Sequence, residues 1–435
     1  MSIEHTGLFY ISLMLYLLAI IFKKSNTVDQ YYLLTFFVIL QLIPMVFGLP
    51  DAKDLHLIFL FVINVNFYII LIYFIVSRPT SALFKVNKKN TGPYLDLDFL
   101  HTYQKQRFSQ KTIFFIIFIQ LLILLYGLST MYVFSFGESR DVVWAAKVQI
   151  EAEQGTGVGG LIKLLFSGLF LVAVYDGLTS KVKKIRKRVF FLFVIISILT
   201  LSKMIFSGLY RSPIVFYSAF VIVVYHLFVH RIHYFNKYLF LGGVLSPIFL
   251  SFAALVRSGG DNFNISILHG LSGISTIFEM HHIMELVKEG GLKIEYGVQH
   301  FYNAIIFIPR FFWQDKPVVS FSYRLSEEIY GKMGENAWVH TYTPWGEGYL
   351  QFGIIGTMVN TVIILYIISF LKKYIHKHPQ YMLFLLSYFI VSFPIYIRGD
   401  LSAIIALMYK FVFVIIFVKV IHLTINILHP NFKNK

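Results

Sequence analysis

Residues 181–207 read KVKKIRKRVFFLFVIISILTLSKMIFS, and this stretch decides the fold. Lys181, Lys183, Lys184, Arg186, Lys187 and Arg188 crowd its first eight positions, and 189–207 is then almost wholly apolar. A run of roughly 17–25 apolar residues spans the hydrocarbon core of a bilayer as a helix. A knot of Lys and Arg at one end of it marks the cytoplasmic side.

The same alternation extends in both directions. Apolar runs at 7–22, 31–49, 55–76, 112–130, 158–175, 189–207, 213–229, 238–256, 352–371, 381–397 and 401–418 predict an all-α polytopic membrane protein of about eleven transmembrane helices. Composition agrees, since 57% of the 435 residues are hydrophobic and soluble domains carry nearer half. Phe (46) and Tyr (28) are abundant, as lipid-facing and interfacial positions favour. The first run has no basic segment before it and no small-residue cleavage site after it, and reads as a retained helix. The absence of cysteine excludes disulfides, thiolate chemistry and Cys-ligated metal.

A net charge of +16 in a soluble protein would point to nucleic acid. Here the cations sit in short loops and serve orientation. With the N-terminus outside, the inner loops hold Lys23 and Lys24, seven cations between Arg78 and Lys111, the 181–188 knot, Arg231 and Lys237, and Lys372, Lys373 and Lys377. Lys419, Lys433 and Lys435 close the series. Asp51, Asp54, Glu138, Asp141, Glu151 and Glu153 fall outside. This places the N-terminus in the periplasm and the C-terminus in the cytoplasm. Residues 1–256 then hold eight helices, 257–346 form one long extracytoplasmic loop, and 347–435 supply three more helices and a short cytoplasmic tail.

So long a loop is expected to carry short helices and function. Within 271–289, Ile274, Ile277, Phe278, Met284 and Val287 share roughly one face, which predicts a helix along the membrane surface. No internal repeat is visible, which weighs against a transporter built from inverted halves.

The loop contains Ile308-Pro309-Arg310-Phe311-Phe312-Trp313-Gln314-Asp315-Lys316-Pro317, a stiff, aromatic, cationic turn. An Arg fork and a Lys point charge suit phosphate oxygens, and Trp313 suits a sugar face or the membrane interface. Further cations stand at outer helix ends beside glycine: Arg211 in Gly208-Leu209-Tyr210-Arg211, Arg257 before Ser258-Gly259-Gly260, and Arg398 before Gly399-Asp400. Each alone fits snorkelling to headgroups. Together with Arg310, Lys316 and Arg324 they suit one outer-leaflet diphosphate site. A base for a sugar hydroxyl is then required, with His300, His340, Glu347 and Asp400 as candidates. The stretch His340-Thr341-Tyr342-Thr343-Pro344-Trp345-Gly346-Glu347-Gly348-Tyr349 adds Tyr342 and Trp345 as glycan-compatible aromatics. Glu347 equally suits a pair with an Arg. His281, His282 and Glu285 lack a third convincing ligand, so no metal is expected. Phosphate-loop, dinucleotide and G-x-S-x-G motifs are absent.

The layout resembles the Wzy-type polysaccharide repeat-unit polymerases, the O-antigen and capsule polymerases. The resemblance is carried by many spans, a long late external loop, IPRFFWQDKP, TPWGEGYLQFG-IIG, the Gly-x-x-Arg element ending at Arg211, and IRGD. It implies a GT-C-like glycosyltransferase of the bacterial inner membrane, acting on undecaprenyl-diphosphate-linked oligosaccharide at the outer face. It implies carrier-diphosphate binding by Arg211, Arg310, Lys316 and Arg398, while Arg257 and Arg324 join them by position alone. Glu347 and His340 are the expected catalytic groups from the residues themselves. No cofactor or nucleic acid is implied. The implied partners are the lipid-linked glycan, membrane lipid, a chain-length regulator and a flippase. A lipid-linked oligosaccharide transporter and an O-antigen ligase are the rival functions.

Arg211→Ala and Arg310→Ala are each expected to leave single repeat units unpolymerised while the protein still inserts. Tyr210→Ala should matter much less. Glycan gels of cells carrying each variant check this, and normal chain lengths in both arginine variants contradict the diphosphate assignment.

Overall fold

The computed structural model describes residues 108–129, 158–206, 211–230, 277–306, 308, 313, 321–330, 342–387 and 399–428. Every regular element among them is helical. The expected spans at 7–22, 31–49, 55–76 and 238–256 lie outside the described residues. Two helices, Pro344–Ile375 and Leu401–Ile421, are long and apolar enough to cross a membrane, and Gln110–Tyr126 and Leu164–Leu178 are shorter apolar helices.

The chain forms two compact units. One comprises Met1–Thr80, Ile265–Lys372 and Ser392–Leu407; the other comprises Ser81–Asn264, Lys373–Val391 and Met408–Lys435.

The second unit is built on α1 (Gln110–Ser129), α2 (Val158–Leu178), α3 (Lys183–Phe206) and α4 (Arg211–Phe228). α1 packs on α2 and α3, α2 on α3, and α3 on α4. The short helix α9 (Met382–Leu386) packs against α2, as does the 3-10 turn Pro379–Tyr381 before it. Aromatic edges fix these contacts, as in Phe193–Phe220 (5.9 Å) and Tyr175–Phe228 (5.8 Å). Gly168 of α2 admits Val414 of α10 (Leu401–Leu428) so closely that an added Cβ would collide with the valine methyls. Hydroxyls on α3 turn inward to their own helix: Ser197 Oγ donates to Phe193 O (2.7 Å) and Thr200 Oγ1 to Ile196 O (2.7 Å). This lets polar residues sit in an apolar helix without an outside partner.

The outward faces are apolar too. α1 exposes Phe115, Phe118, Leu122, Leu125 and Tyr126, and α10 exposes Val412, Phe413, Ile416, Val420 and Leu423. A water-facing helix carries polar residues there, whereas helices that are apolar all round belong in cores or lipid.

The first unit holds α5 (Ile277–Lys288), α6 (Val298–Ala304), α7 (Phe321–Tyr330) and the start of α8 (Pro344–Lys377). α5 lies within the 271–289 stretch expected to be helical, but its buried centre is Ile283, which was not on the expected apolar face. Its Ile283 is buried with Leu292, Phe321, Leu325, Tyr342 and Leu350, and Leu286 and Val287 pack on that cluster. The face it buries thus meets α7 and the start of α8, because those segments supply apolar partners from the same loop.

α8 is two helices, not one rod. Its backbone leaves helical angles at Phe352 (φ −144°, ψ 26°) and Gly353 (φ 61°, ψ −143°). Trp345 Nε1 donates to Thr361 Oγ1 (2.9 Å), and Asn360 Nδ2 donates to Pro344 O (2.6 Å), although each pair is sixteen residues apart. In a continuous helix such a pair would be about 24 Å apart. Residues 344–351 therefore fold back along 354–361. Gly348 and Gly356 meet backbone to backbone, and a Cβ on either would strike the other's carbonyl. After the turn, residues 354–377 run about 36 Å at 1.5 Å per residue, with Ile355, Val359, Val362, Tyr366 and Phe370 exposed along one stripe.

Gly348→Ala or Gly356→Ala should prevent closure of this hairpin and leave little folded protein after detergent extraction. Gly353→Ala meets open space but a left-handed φ, so its loss should be smaller, about 1–3 kcal/mol. Gly291→Ala, with ordinary contacts only, should melt like the parent protein. Melting curves of the purified variants decide this, and equal behaviour of all four refutes the fold-back constraint.

Candidate functional site

The hairpin positions a buried polar network. Loop residues 295–296 pair with its end through Glu295 N to Leu350 O (2.9 Å) and Tyr296 N to Gln351 O (3.0 Å). Gly297 then turns with φ 95° against the Phe352 ring, a conformation that suits glycine. α6 starts there, with Gln299 and Asn303 four residues apart on one buried face.

From this face the network runs in two directions. Gln299 Nε2 donates to Asn303 Oδ1 (3.1 Å), and Asn303 Nδ2 donates to Glu347 Oε1 (2.7 Å). Glu347 Oε2 accepts from the backbone N–H of Leu401 (2.7 Å) at the start of α10. In the other direction Gln351 Oε1 accepts from Gln299 N (3.0 Å), and Gln351 Nε2 donates to Glu295 Oε2 (2.6 Å). Arg324 of α7 closes it with a bidentate fork on Glu295 (2.6 and 2.8 Å) and two donations to Gln299 Oε1 (3.1 and 3.3 Å). Its guanidinium also stands 5.8 Å from the ring centroids of Tyr302 and Phe321.

Two carboxylates gather at the start of α10. Asp400 Oδ1 accepts from Ala403 N (2.9 Å) and Ser402 Oγ (2.6 Å), which is an N-cap. Its Oδ2 accepts from Ser322 N (2.9 Å) at the start of α7. Glu347, 0% exposed, takes the first amide of α10, where the helix dipole favours negative charge. Both Glu347 oxygens are thus engaged, and its carboxylate ties the hairpin to α6 and α10.

His300, on α6, points elsewhere. Its Nε2 lies 2.8 Å from Asn360 Oδ1, its ring tilts against Phe352 (5.8 Å), and its Nδ1 is buried without a hydrogen-bond partner.

Of the residues anticipated from sequence, His300, Arg324, Tyr342, Trp345, Glu347 and Asp400 are described in this unit. Tyr342 and Trp345 are buried: Tyr342 packs edge-on to Phe321 (5.9 Å), and Trp345 bonds Thr361. Trp313 is partly exposed. Arg211 opens α4, but its side chain is outside the described set, as are those of His281 and His282. His340, Arg257, Arg310, Lys316 and Arg398 lie outside the described residues. Among the described residues no group of three His, Asp or Glu side chains gathers as a metal site.

Glu295, Gln299, Asn303, Gln351 and Asn360 were not anticipated. No short motif marks them, since apart from the Gln299–Asn303 pair their partners stand 16 to 60 residues away. The one local signal is the Gln299/Asn303 spacing. Compared with protein-family models, with curated proteins and with solved structures, the chain has no match.

Arg324→Ala removes the partner of Glu295, whose side chain is 14% exposed against 22% for Arg324, and should destabilise the protein by about 3 kcal/mol. Adding Glu295→Ala should recover part of that loss, because the carboxylate is no longer stranded. A denaturation cycle over the four proteins measures this; simple additivity contradicts the pairing.

Proposed function

We propose that this chain is a multi-pass glycosyltransferase of the bacterial inner membrane that polymerises undecaprenyl-diphosphate-linked oligosaccharide repeat units at the outer face. In this reading about eleven helices cross the bilayer, with the N-terminus periplasmic and the C-terminus cytoplasmic. Helices that are apolar both inward and outward support the membrane setting.

One observation carries the reading: TPWGEGYLQFG and the IRGD element, far apart in sequence, meet where Glu347 accepts the Leu401 amide and Asp400 caps α10. These are the segments on which the resemblance to repeat-unit polymerases rests. Their meeting point is rigid, because its hydrogen bonds are buried and cross-linked to α6 and α7. Such rigidity is what a site that orients two large glycans needs.

The reaction transfers a glycan from its carrier diphosphate to a hydroxyl of a second lipid-linked unit. Arg211, Arg257, Arg310, Lys316 and Arg398 are assigned to the diphosphate, where guanidinium forks stabilise the charge on the leaving group. Arg324 belongs to this set by position, and its fork on Glu295 must open to reach phosphate. Trp313 offers a partly exposed aromatic face for sugar. Tyr342 and Trp345 are buried in this conformation, and a glycan role for them requires the surrounding packing to open. Base catalysis by Glu347 likewise requires both its hydrogen bonds to break. His340 adjoins the same segment in sequence.

Purified protein incubated with lipid-linked repeat units should give a ladder of glycans. Transfer of one finished chain to a different acceptor would identify a ligase, and the absence of product would point to transport or another function; either result overturns the assignment.

A further inference from the structure

We propose that His300 is the proton acceptor for the attacking hydroxyl, held in its working tautomer by Asn360. The proposal rests on the transferase reading above and names the group that it lacks. Four candidates for a base lie in or beside this unit, and hydrogen bonding separates them. Glu347 has a donor on each oxygen, as does Asp400, and His340 lies outside the described residues. Of the three described candidates, His300 alone has a basic atom, Nδ1, that is buried with no hydrogen-bond partner.

The tautomer follows from the amide of Asn360. Asn360 Nδ2 donates to Pro344 O (2.6 Å), which fixes the other amide atom as oxygen, since a reversed amide would set two acceptors against each other. Asn360 Oδ1 can only accept, so His300 Nε2, 2.8 Å away, must carry the hydrogen. A second proton on Nδ1 would bury a charged N–H with no acceptor. In the neutral tautomer the lone pair then falls on Nδ1. A base whose far nitrogen is fixed by a third group is the arrangement that activates hydroxyl nucleophiles.

Asn360 is itself placed by the hairpin, since Pro344 O reaches it only when 344–351 folds back. Phe352, 41% exposed, tilts against the imidazole at the turn, and the space beside Gly353 is open. For a sugar hydroxyl to reach it, the buried Nδ1 must be uncovered, and Phe352 is the ring beside the imidazole at this turn. The acceptor oxygen then bonds to the anomeric carbon as its proton passes to Nδ1. The carbon–oxygen bond to the diphosphate breaks, and its electron pair leaves with the lipid diphosphate.

The test uses full-length protein with lipid-linked repeat units. His300→Gln should lower kcat by about 10²–10⁴-fold with KM little changed, and added imidazole should restore turnover to His300→Ala. Asn360→Leu should lose turnover, and Asn360→Asp, which keeps an acceptor for Nε2 but loses the donor to Pro344 O, should regain only part of it. If the His300 variants fail to fold, the Asn360 pair decides alone. In the parent protein, nitrogen NMR should give His300 an Nδ1 without hydrogen, a signature lost in Asn360→Leu.

Parent ladders with undiminished turnover in His300→Gln overturn this proposal and leave the transferase reading standing. So does a hydrogen on Nδ1, with or without activity. No product from the parent protein overturns the transferase reading itself, and this role with it.

Discussion

The backbone contact between Gly348 and Gly356 is the constraint on which the first unit depends. It lets two helices lie closer than side chains would allow, so 344–351 can return along 354–361. Once it has returned, Glu347 lies within reach of α6 and of the α10 amide, and Asn360 lies within reach of His300. A straight helix would carry Trp345 and Thr361 about 24 Å apart and would scatter the network. The turn at Phe352 and Gly353 needs a left-handed φ that glycine adopts without strain.

A network this buried must be satisfied at every member, because one unmet polar group costs more than a made bond returns. Here amides link an ion pair to a buried carboxyl group: Gln351, Gln299 and Asn303 stand between the Arg324–Glu295 pair and Glu347. Amides donate and accept at once, so they pass hydrogen bonds along the network without adding charge. The proposed chemistry draws on the same rigidity. In that proposal, residues that hold each other in place would keep a hydroxyl, an anomeric carbon and a diphosphate in line.

Helices were the most legible feature in the sequence. Runs at 112–130, 158–175 and 213–229 overlap α1, α2 and α4 closely, because a long apolar stretch in this composition has few alternatives to a helix. The expected span beginning at 352 also falls at the hairpin turn, where hydropathy rises after Gln351. The fold-back itself was not legible. It depends on which glycines touch, and spacing in one sequence does not say so. The same limit applies to Tyr342 and Trp345, whose rings suit a sugar surface by type but face the interior by placement. Arg324 read as a free cation, because its partner Glu295 stands 29 residues away. Glu347 was legible as a residue worth attention, through its place directly before a span; its two donors were not.

The central claim is that a glycan leaves its lipid diphosphate as a new glycosidic bond forms. The most direct measurement is stoichiometry: purified protein and lipid-linked repeat units, with released lipid diphosphate and new inter-unit bonds counted in the same sample. The account predicts one lipid diphosphate released for every bond formed, with no nucleotide added. Release without bond formation, or substrate that stays intact, would contradict it.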